Sequence, residues 1–490
     1  MVDTKGSTST SKTSPDEKPL KLNYKRTFII GFAFFGILML WQVYNTYCGK
    51  FLTQMFASLQ GYSYDDLNLP ENASVLLDVQ YLVGIVMACD NIAALFLLPI
   101  FGHLSDKTHT KWGKRMPYIV GGTLVSAIAF PFIPIFYQYN NLAGMISLMA
   151  IVIFFMMMYR NPAVALMPDL TPKPLRSRAN GIINIVGFIG GGVGTILAIP
   201  LSFKNYLGKF NHSLWVIEIP FLVASILMLV SCAILFIKIK ENKLEVELEP
   251  EMRRGEELAE TVDKVDDGKM SRNNRTTLIL ILIAEVLWFM SYNAIETFMG
   301  NYTLWYLYSS DSNTGILTLI SGLTGVITFM LAGRLADKIG RKWTIFIGLC
   351  IITLATLCLC FIKPSGNQTI DAKGFNNYDA TFPWPLYIIF GFQGIGWALI
   401  NICSFPMVVE LCSSKKIGRF TGYYYAASML AQSMTPILIG LIMKFTKAWW
   451  ALPIYSASLM GAATLVFIFV KNAKAKKVQN KKGLEGLDQD

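Results

Sequence analysis

Four ionisable side chains lie within stretches that are otherwise apolar: Asp90, Arg160, Glu285 and Glu296. A charge in a hydrocarbon core costs about 2.5–3.5 kcal/mol on insertion scales, so such groups usually face a partner or a water-filled path. Asp90, followed by Asn91, falls midway along its apolar run. Two readings are open for it: a carboxylate that loads and releases a proton, or a structural acid bonded to a neighbouring helix. Arg160 could fork onto two hydroxyls or onto a carboxylate such as Asp90, or it could snorkel back to the interface. Trp288, Tyr292 and Glu296 follow Glu285 at +3, +7 and +11, which is one helix face, and Asn293 lies beside it. Carboxylates and amides bind hydroxyls, and an aromatic plane packs on the C–H face of a sugar ring. Glu296 also reads as a merely solvated residue. Trp41, Gln42, Tyr44 and Asn45 form a second such set, and Gln393, Trp397 and Asn401 a third. For the aromatic members, interface belts and plain packing are the alternative.

The elements that position these groups are membrane spans. Hydrophobic residues make up 53% of the 490 residues and charged residues 15%, against about 25% charged in a soluble domain. That balance excludes a disordered chain, a secreted disulfide scaffold and an ordinary soluble enzyme. A bilayer core needs about 20 apolar residues per helix. Twelve runs qualify: 27–48, 78–104, 117–137, 142–166, 179–201, 214–238, 276–300, 313–333, 343–363, 384–411, 418–442 and 449–470. The expected architecture is an all-α integral membrane fold of two pseudo-symmetric six-helix bundles, 27–238 and 275–470. A charged connector, 239–274, joins them, and polar tails, 1–26 and 471–490, flank them. The connector reads as a solvated linker, partly helical. With the N-terminus inside, the cytoplasmic segments hold 35 Lys and Arg and the outer loops 7. Both termini of this multi-pass cell-membrane protein are therefore expected in the cytoplasm. The net charge of +11 belongs to these loops and the anionic lipid beside them, not to nucleic acid. The eight cysteines have no metal-ligand spacing, so neither a metal site nor a cofactor is expected.

The two halves repeat each other. Gly102-His-Leu104-Ser-Asp106-Lys107 leads to Gly113-Lys114-Arg115, and Gly333-Arg-Leu335-Ala-Asp337-Lys338 leads to Gly340-Arg341-Lys342. The Gly and Asp pairs are 231 residues apart. Asp169 is followed by Arg178 at +9 and Gly181 at +12; Glu410 is followed by Arg419 and Gly422 at the same spacings. The physical reading is a charge latch at the cytoplasmic mouth, with each loop aspartate capping a helix and pairing with an arginine of a neighbouring element. Positive-inside placement alone explains the Lys and Arg but not the recurring Gly and Asp. The glycines of 187–194 read either as a sliding seam between the halves or as tight packing.

On these motifs the chain resembles the major facilitator superfamily. The stretch Ser105-Asp106-Lys107-Thr-His-Thr-Lys-Trp112-Gly113-Lys114-Arg115 narrows the likeness to the glycoside–pentoside–hexuronide:cation symporters. Within them it is similar to bacterial relatives of the sucrose–proton symporters, as is Arg160-Asn-Pro162-Ala-Val-Ala-Leu-Met-Pro168-Asp169. The resemblance implies a central cavity lined by spans 1, 4, 7 and 10, and alternating access to it. The places of the sodium-binding acids and asparagine of melibiose-type permeases hold Ala94, Leu97 and Leu98. A proton is then the expected coupling ion rather than sodium, carried by Asp90 with Glu285. The expected function is secondary active import of a glycoside or disaccharide by a monomer, not an enzymatic reaction. The rivals are a transporter of a lipid or drug-like substrate and a sugar sensor that does not transport.

Overall fold

The computed structural model describes residues 20–62, 66, 72–201, 215–263, 272–310, 312–364, 369–370, 376–377, 382–411 and 417–471. Among them are twelve helices long and apolar enough to cross a membrane. Spans 1 to 6 are Tyr24–Leu59, Ala73–Lys107, Met116–Ala129 continued by Phe132–Gln138, Leu142–Asp169, Arg176–Ala198 and Trp215–Lys238. Spans 7 to 12 are Arg272–Asn301, Ser312–Ile339, Arg341–Leu359, Pro385–Glu410, Ile417–Thr446 and Ala451–Ile468. A two-residue antiparallel pair, Thr369–Ile370 with Asn376–Asn377, is the described β structure. Apart from residues 20–26 and 471, the two tails lie outside the described residues.

Local chemistry sets several ends. Asn23 and Asn141 cap spans 1 and 4, each accepting the backbone N–H three residues on, from Arg26 at 3.0 Å and Gly144 at 2.9 Å. Span 3 breaks at Pro131, the cap of its second segment. Span 1 runs 36 residues, well beyond the expected 27–48. The apolar run ends at Lys50, Thr53 and Gln54, but all three are buried, at 3%, 0% and 3% exposure. These polar residues face protein rather than water, so hydropathy stops where the helix does not.

The halves pack differently at their two ends. We call the end carrying the connector the connector face and the opposite end the far face. One apolar core fills the first half and continues across the far face into the second, through Ile295, Phe298, Tyr302, Ile439 and Met443. The connector side of the second half has a separate core around Trp288, Leu349, Met407 and Phe467. The halves are thus fused at the far face. Span 2 lies on span 11 so closely there that a Cβ on Gly84 would fall 2.2 Å from the Pro436 carbonyl oxygen. The glycine stripe of span 5 packs on span 1 instead: Gly190 abuts the backbone of Phe35 and Gly187 the side chain of Leu38. It is tight packing inside one half, not a seam between halves.

The connector corrects the expectation of a solvated linker. Glu241–Asp263 is a helix docked on the first half. Glu241 is 1% exposed. Its carboxylate accepts the backbone N–H groups of Lys114, Arg115 and Met116, each at 3.1 Å. It therefore caps span 3 from another part of the chain, where Arg115 in the cap position offers no side-chain acceptor of its own. Burial pushes the Glu241 carboxyl up from the ordinary range, and the three N–H groups pull it back. Asn242 donates to the carbonyls of Thr110 and Lys111 at 2.9 and 3.2 Å, and Gly255 sits against Pro172. The contact requires Gly113, whose φ is +116° and whose Cβ would overlap the Glu241 carboxylate. Gly113→Ala is expected to cost about 1–3 kcal/mol through backbone strain and so to lower the apparent melting temperature by several degrees. An unchanged melting curve, read by scanning fluorimetry, would mean that the helix does not hold this loop.

Candidate functional site

The charged groups of the spans converge from both halves at mid-depth. Asp90, 5% exposed on span 2, lies within electrostatic range of Arg160 of span 4 and Glu296 of span 7. The Asn91 backbone N–H donates to the Asp90 Oδ1 at 2.5 Å. Tyr44, fully buried on span 1, faces the same carboxylate, and its hydroxyl has no hydrogen-bond partner. Arg160 and Asn91 are half-buried, whereas Glu296 and Asn45 are exposed. In a helix otherwise packed on its neighbours, exposed polar side chains at this depth mark a wet cleft between the halves.

Beside the charges stands an aromatic platform. Tyr292 and Trp397 are stacked with centroids 3.8 Å apart and planes 10° apart, and Phe289 meets Trp397 edge-on at 5.3 Å. The spacing put Tyr292 and Trp397 on two spans as separate candidate surfaces; the fold makes them one slab, held from behind by Phe289. Asn293 is buried with its Oδ1 unpartnered. Asn401 donates to the Trp397 carbonyl at 2.9 Å, and Gln393 is buried one turn away on the same helix. Trp41 touches Tyr44 with centroids 5.7 Å apart. Gln42 faces span 5 at Gly194.

Two expected members of the site are covered by neighbouring spans. Glu285 is 0% exposed, and its electrostatic neighbours are Tyr424 and Tyr425 of span 11. Trp288 is 1% exposed and packs 6.4 Å from the Phe467 ring of span 12. The helical period placed them correctly on the face of Tyr292 and Glu296. It does not say what covers that face at each depth, and near the connector face spans 11 and 12 cover it.

The expected latch is assembled in the first half. Arg115, 5% exposed, reaches Asp106 at 2.5 Å, Asp169 at 2.9 Å and the Ser105 hydroxyl at 2.5 Å. Lys114 adds Asp169 at 3.4 Å. Both aspartates thus share one guanidinium, so the loop after span 2 and the end of span 4 are tied together. Gly102 makes room for Asn161, which donates to the Leu98 carbonyl at 2.5 Å. Lys107 and Arg178 are exposed. In the second half Lys338 is exposed, Arg341 is half-buried and Gly333 has open space around it. The side chains of Asp337, Glu410 and Arg419 lie outside the described residues. Sequence reasoning missed Glu241 and Asn161, because each acts on backbone atoms far along the chain.

The profile of the Major Facilitator Superfamily matches residues 6–195, 48–370 and 289–487. The chain belongs to this superfamily. It is 30% identical over 126 residues to the sucrose transport protein SUC4 of Arabidopsis thaliana, covering 23% of this chain and 25% of that protein. It is 24% identical over 291 residues to the isoprimeverose transporter of Lactiplantibacillus pentosus, covering 57% and 56%. The chain thus spans between a quarter and just over half the length of these relatives. Its fold is that of the xylose transporter XylE of E. coli in an inward open conformation, with a TM-score of 0.62, 15% identity, and coverage of 95% of this chain and 99% of that one.

Replacing Arg115 by Ala would leave Asp169, 24% exposed, with only Lys114 at 3.4 Å as its cation among the described residues. Breaking a buried pair costs about 3–5 kcal/mol, and the 59% exposure of Asp106 reduces this to about 2–3 kcal/mol. Arg115→Ala should lower the apparent melting temperature clearly. Arg115→Lys should recover only part of the loss, since an ammonium cannot fork between two carboxylates.

Proposed function

We propose that the protein is a secondary active transporter that imports a glycoside or disaccharide with a proton by alternating access. The observation that carries this reading is the meeting of Asp90, Arg160 and Glu296, from both halves, beside the Tyr292–Trp397 slab. The connector face is the cytoplasmic side of the cell membrane, in line with the distribution of Lys and Arg. Shut at the far face, the protein is in the state that releases cargo inward. Relatives named as sucrose and isoprimeverose transporters support a sugar as cargo.

The chemistry follows from the groups present. In the far-open state Asp90 takes a proton from outside water, which removes the negative charge beside Arg160. The guanidinium is then free to donate to sugar hydroxyls. Glu296 and Asn45 accept from other hydroxyls, and one exposed face of the slab packs on the C–H face of the ring. In the far-shut state the sugar leaves to the cytoplasm. Asp90 then gives its proton to cytoplasmic water, because Arg160, freed of the sugar, stabilises the carboxylate, and the cycle resets. Ala94, Leu97 and Leu98 offer no oxygen ligands for sodium. Glu285 is a second proton-holding group, off the cleft. Both of its carboxyl oxygens are buried without a hydrogen-bond partner. The protein acts as a monomer in lipid. A lipid or drug-like cargo is disfavoured by three charged side chains at the cleft.

The test uses the purified protein in liposomes holding a pH-sensitive dye, with sugars added outside and no imposed gradient. Internal acidification with one sugar is expected, lost in Asp90→Asn and retained in Glu285→Gln. Sugar uptake driven by sodium without proton movement would overturn the role of Asp90. Trp397→Ala should raise the half-saturating sugar concentration by up to about tenfold, the scale of one aromatic contact; an unchanged value would remove the slab from the binding site.

A further inference from the structure

Span 7 ends on an amide that joins the two halves. Asn301 is 3% exposed. Its Nδ2 donates to the Thr53 hydroxyl oxygen of span 1 and to the Gln80 Oε1 of span 2, both at 3.0 Å. Thr53 and Gln80 are each 0% exposed. Three other contacts between the halves lie at the same face: the Lys447–Asp78 ion pair, Lys444 over the Tyr81 ring at 4.1 Å, and the Ser312 hydroxyl on the Ile199 carbonyl at 2.6 Å. Of the hydrogen bonds described between the halves, those of Asn301 are the fully buried ones.

The polarity of this contact is fixed by its partners. The Thr53 hydroxyl donates its own proton to the Gly49 carbonyl at 2.8 Å. The Gln80 Nε2 donates to the Leu76 carbonyl at 2.7 Å. Each side chain is anchored to its own helix through a donor hydrogen, and in this arrangement each turns an acceptor oxygen to the second half. Position 301 must therefore supply two N–H groups at once. The acceptor half of its own amide, Oδ1, has no partner. Directly after it the helix passes into a π-helical turn, Tyr302–Tyr306, a feature frequent at functional breaks in helices.

We propose that Asn301 is the bolt of the far face: its amide must release Thr53 and Gln80 before the halves can part there, and so it sets the balance between the two access states. It is a positioning residue, touching neither proton nor cargo. The inference rests on alternating access but not on any particular sugar or ion.

The donor polarity makes a sharp variant available. Asn301→Asp keeps the size and shape of the side chain but turns its two N–H groups into a carboxylate oxygen facing two acceptors. With the far face shut it leaves the contact repulsive and buried; with the far face open, water solvates all three groups. The ratio of shut to open states should fall by about ten- to a hundredfold. Hydrogen–deuterium exchange of the full-length protein in lipid nanodiscs, without substrate, reads this directly. Peptides from 49–55, 76–84 and 298–306 should exchange faster, while those from 103–116 at the connector face should exchange more slowly as that face closes. Faster exchange at neither end would overturn the proposal. Should the variant exchange faster at both ends, as a destabilised fold would, Thr53→Val and Gln80→Met decide. Each removes one acceptor without introducing a charge, and each should speed exchange at the far face alone; if neither does, Asn301 is not the bolt. Since no sugar or proton gradient enters the measurement, failure of the proton–sugar reading leaves this result unaffected, and the converse also holds.

Discussion

In this fold a polar group without water or a partner is expensive, and that cost decides where everything else goes. Asp90 and Arg160 of the first half and Glu296 of the second come from three spans, yet Asp90 lies within electrostatic range of both others. None could sit at this depth alone. Together they require a cleft, and a cleft requires that the halves be joined somewhere else. The shared apolar core at the far face supplies that join, while the second half keeps a core of its own toward the connector.

The same constraint explains what was legible in the sequence. The twelve spans, their division into two sets of six and the matching loops all followed from runs of apolar residues and from spacing. Asp90, Arg160 and Glu296 were each conspicuous as ionisable residues in apolar runs, and Asp90 was one of the partners open to Arg160; the approach of Glu296 to Asp90 was not legible. Span ends were less legible. Lys50, Thr53 and Gln54 look like the end of a helix, but they are buried polar residues used for contacts within the protein. Glu285 and Trp288 share the face of Tyr292 and Glu296, yet neighbouring spans cover them. Periodicity gives the direction of a side chain and leaves open what it meets.

Duplication accounts for the symmetry but not for its use. Asp106 and Asp169 lie together on Arg115, and the connector helix closes over the same loop through Glu241. Among the described residues, the two copies of the motif differ at their opening glycine. In the first, a Cβ on Gly102 would meet Asn161. In the second, the glycine that opens the motif, Gly333, has open space around it.

The docking of the connector also changes where one half of the molecule ends. Judged by membrane topology, the first half stops at Lys238, where span 6 leaves the bilayer. Judged by hydrogen bonding, it stops at Asp263, because the cap on span 3 is supplied by Glu241 from the helix that follows. A chain divided between Lys238 and Glu241 would separate span 3 from its cap and leave three N–H groups bare at the mouth of the cleft. A chain divided between Asp263 and Arg272 would leave each piece with its own contacts intact. The first half of this protein is thus six spans and a strap, rather than six spans.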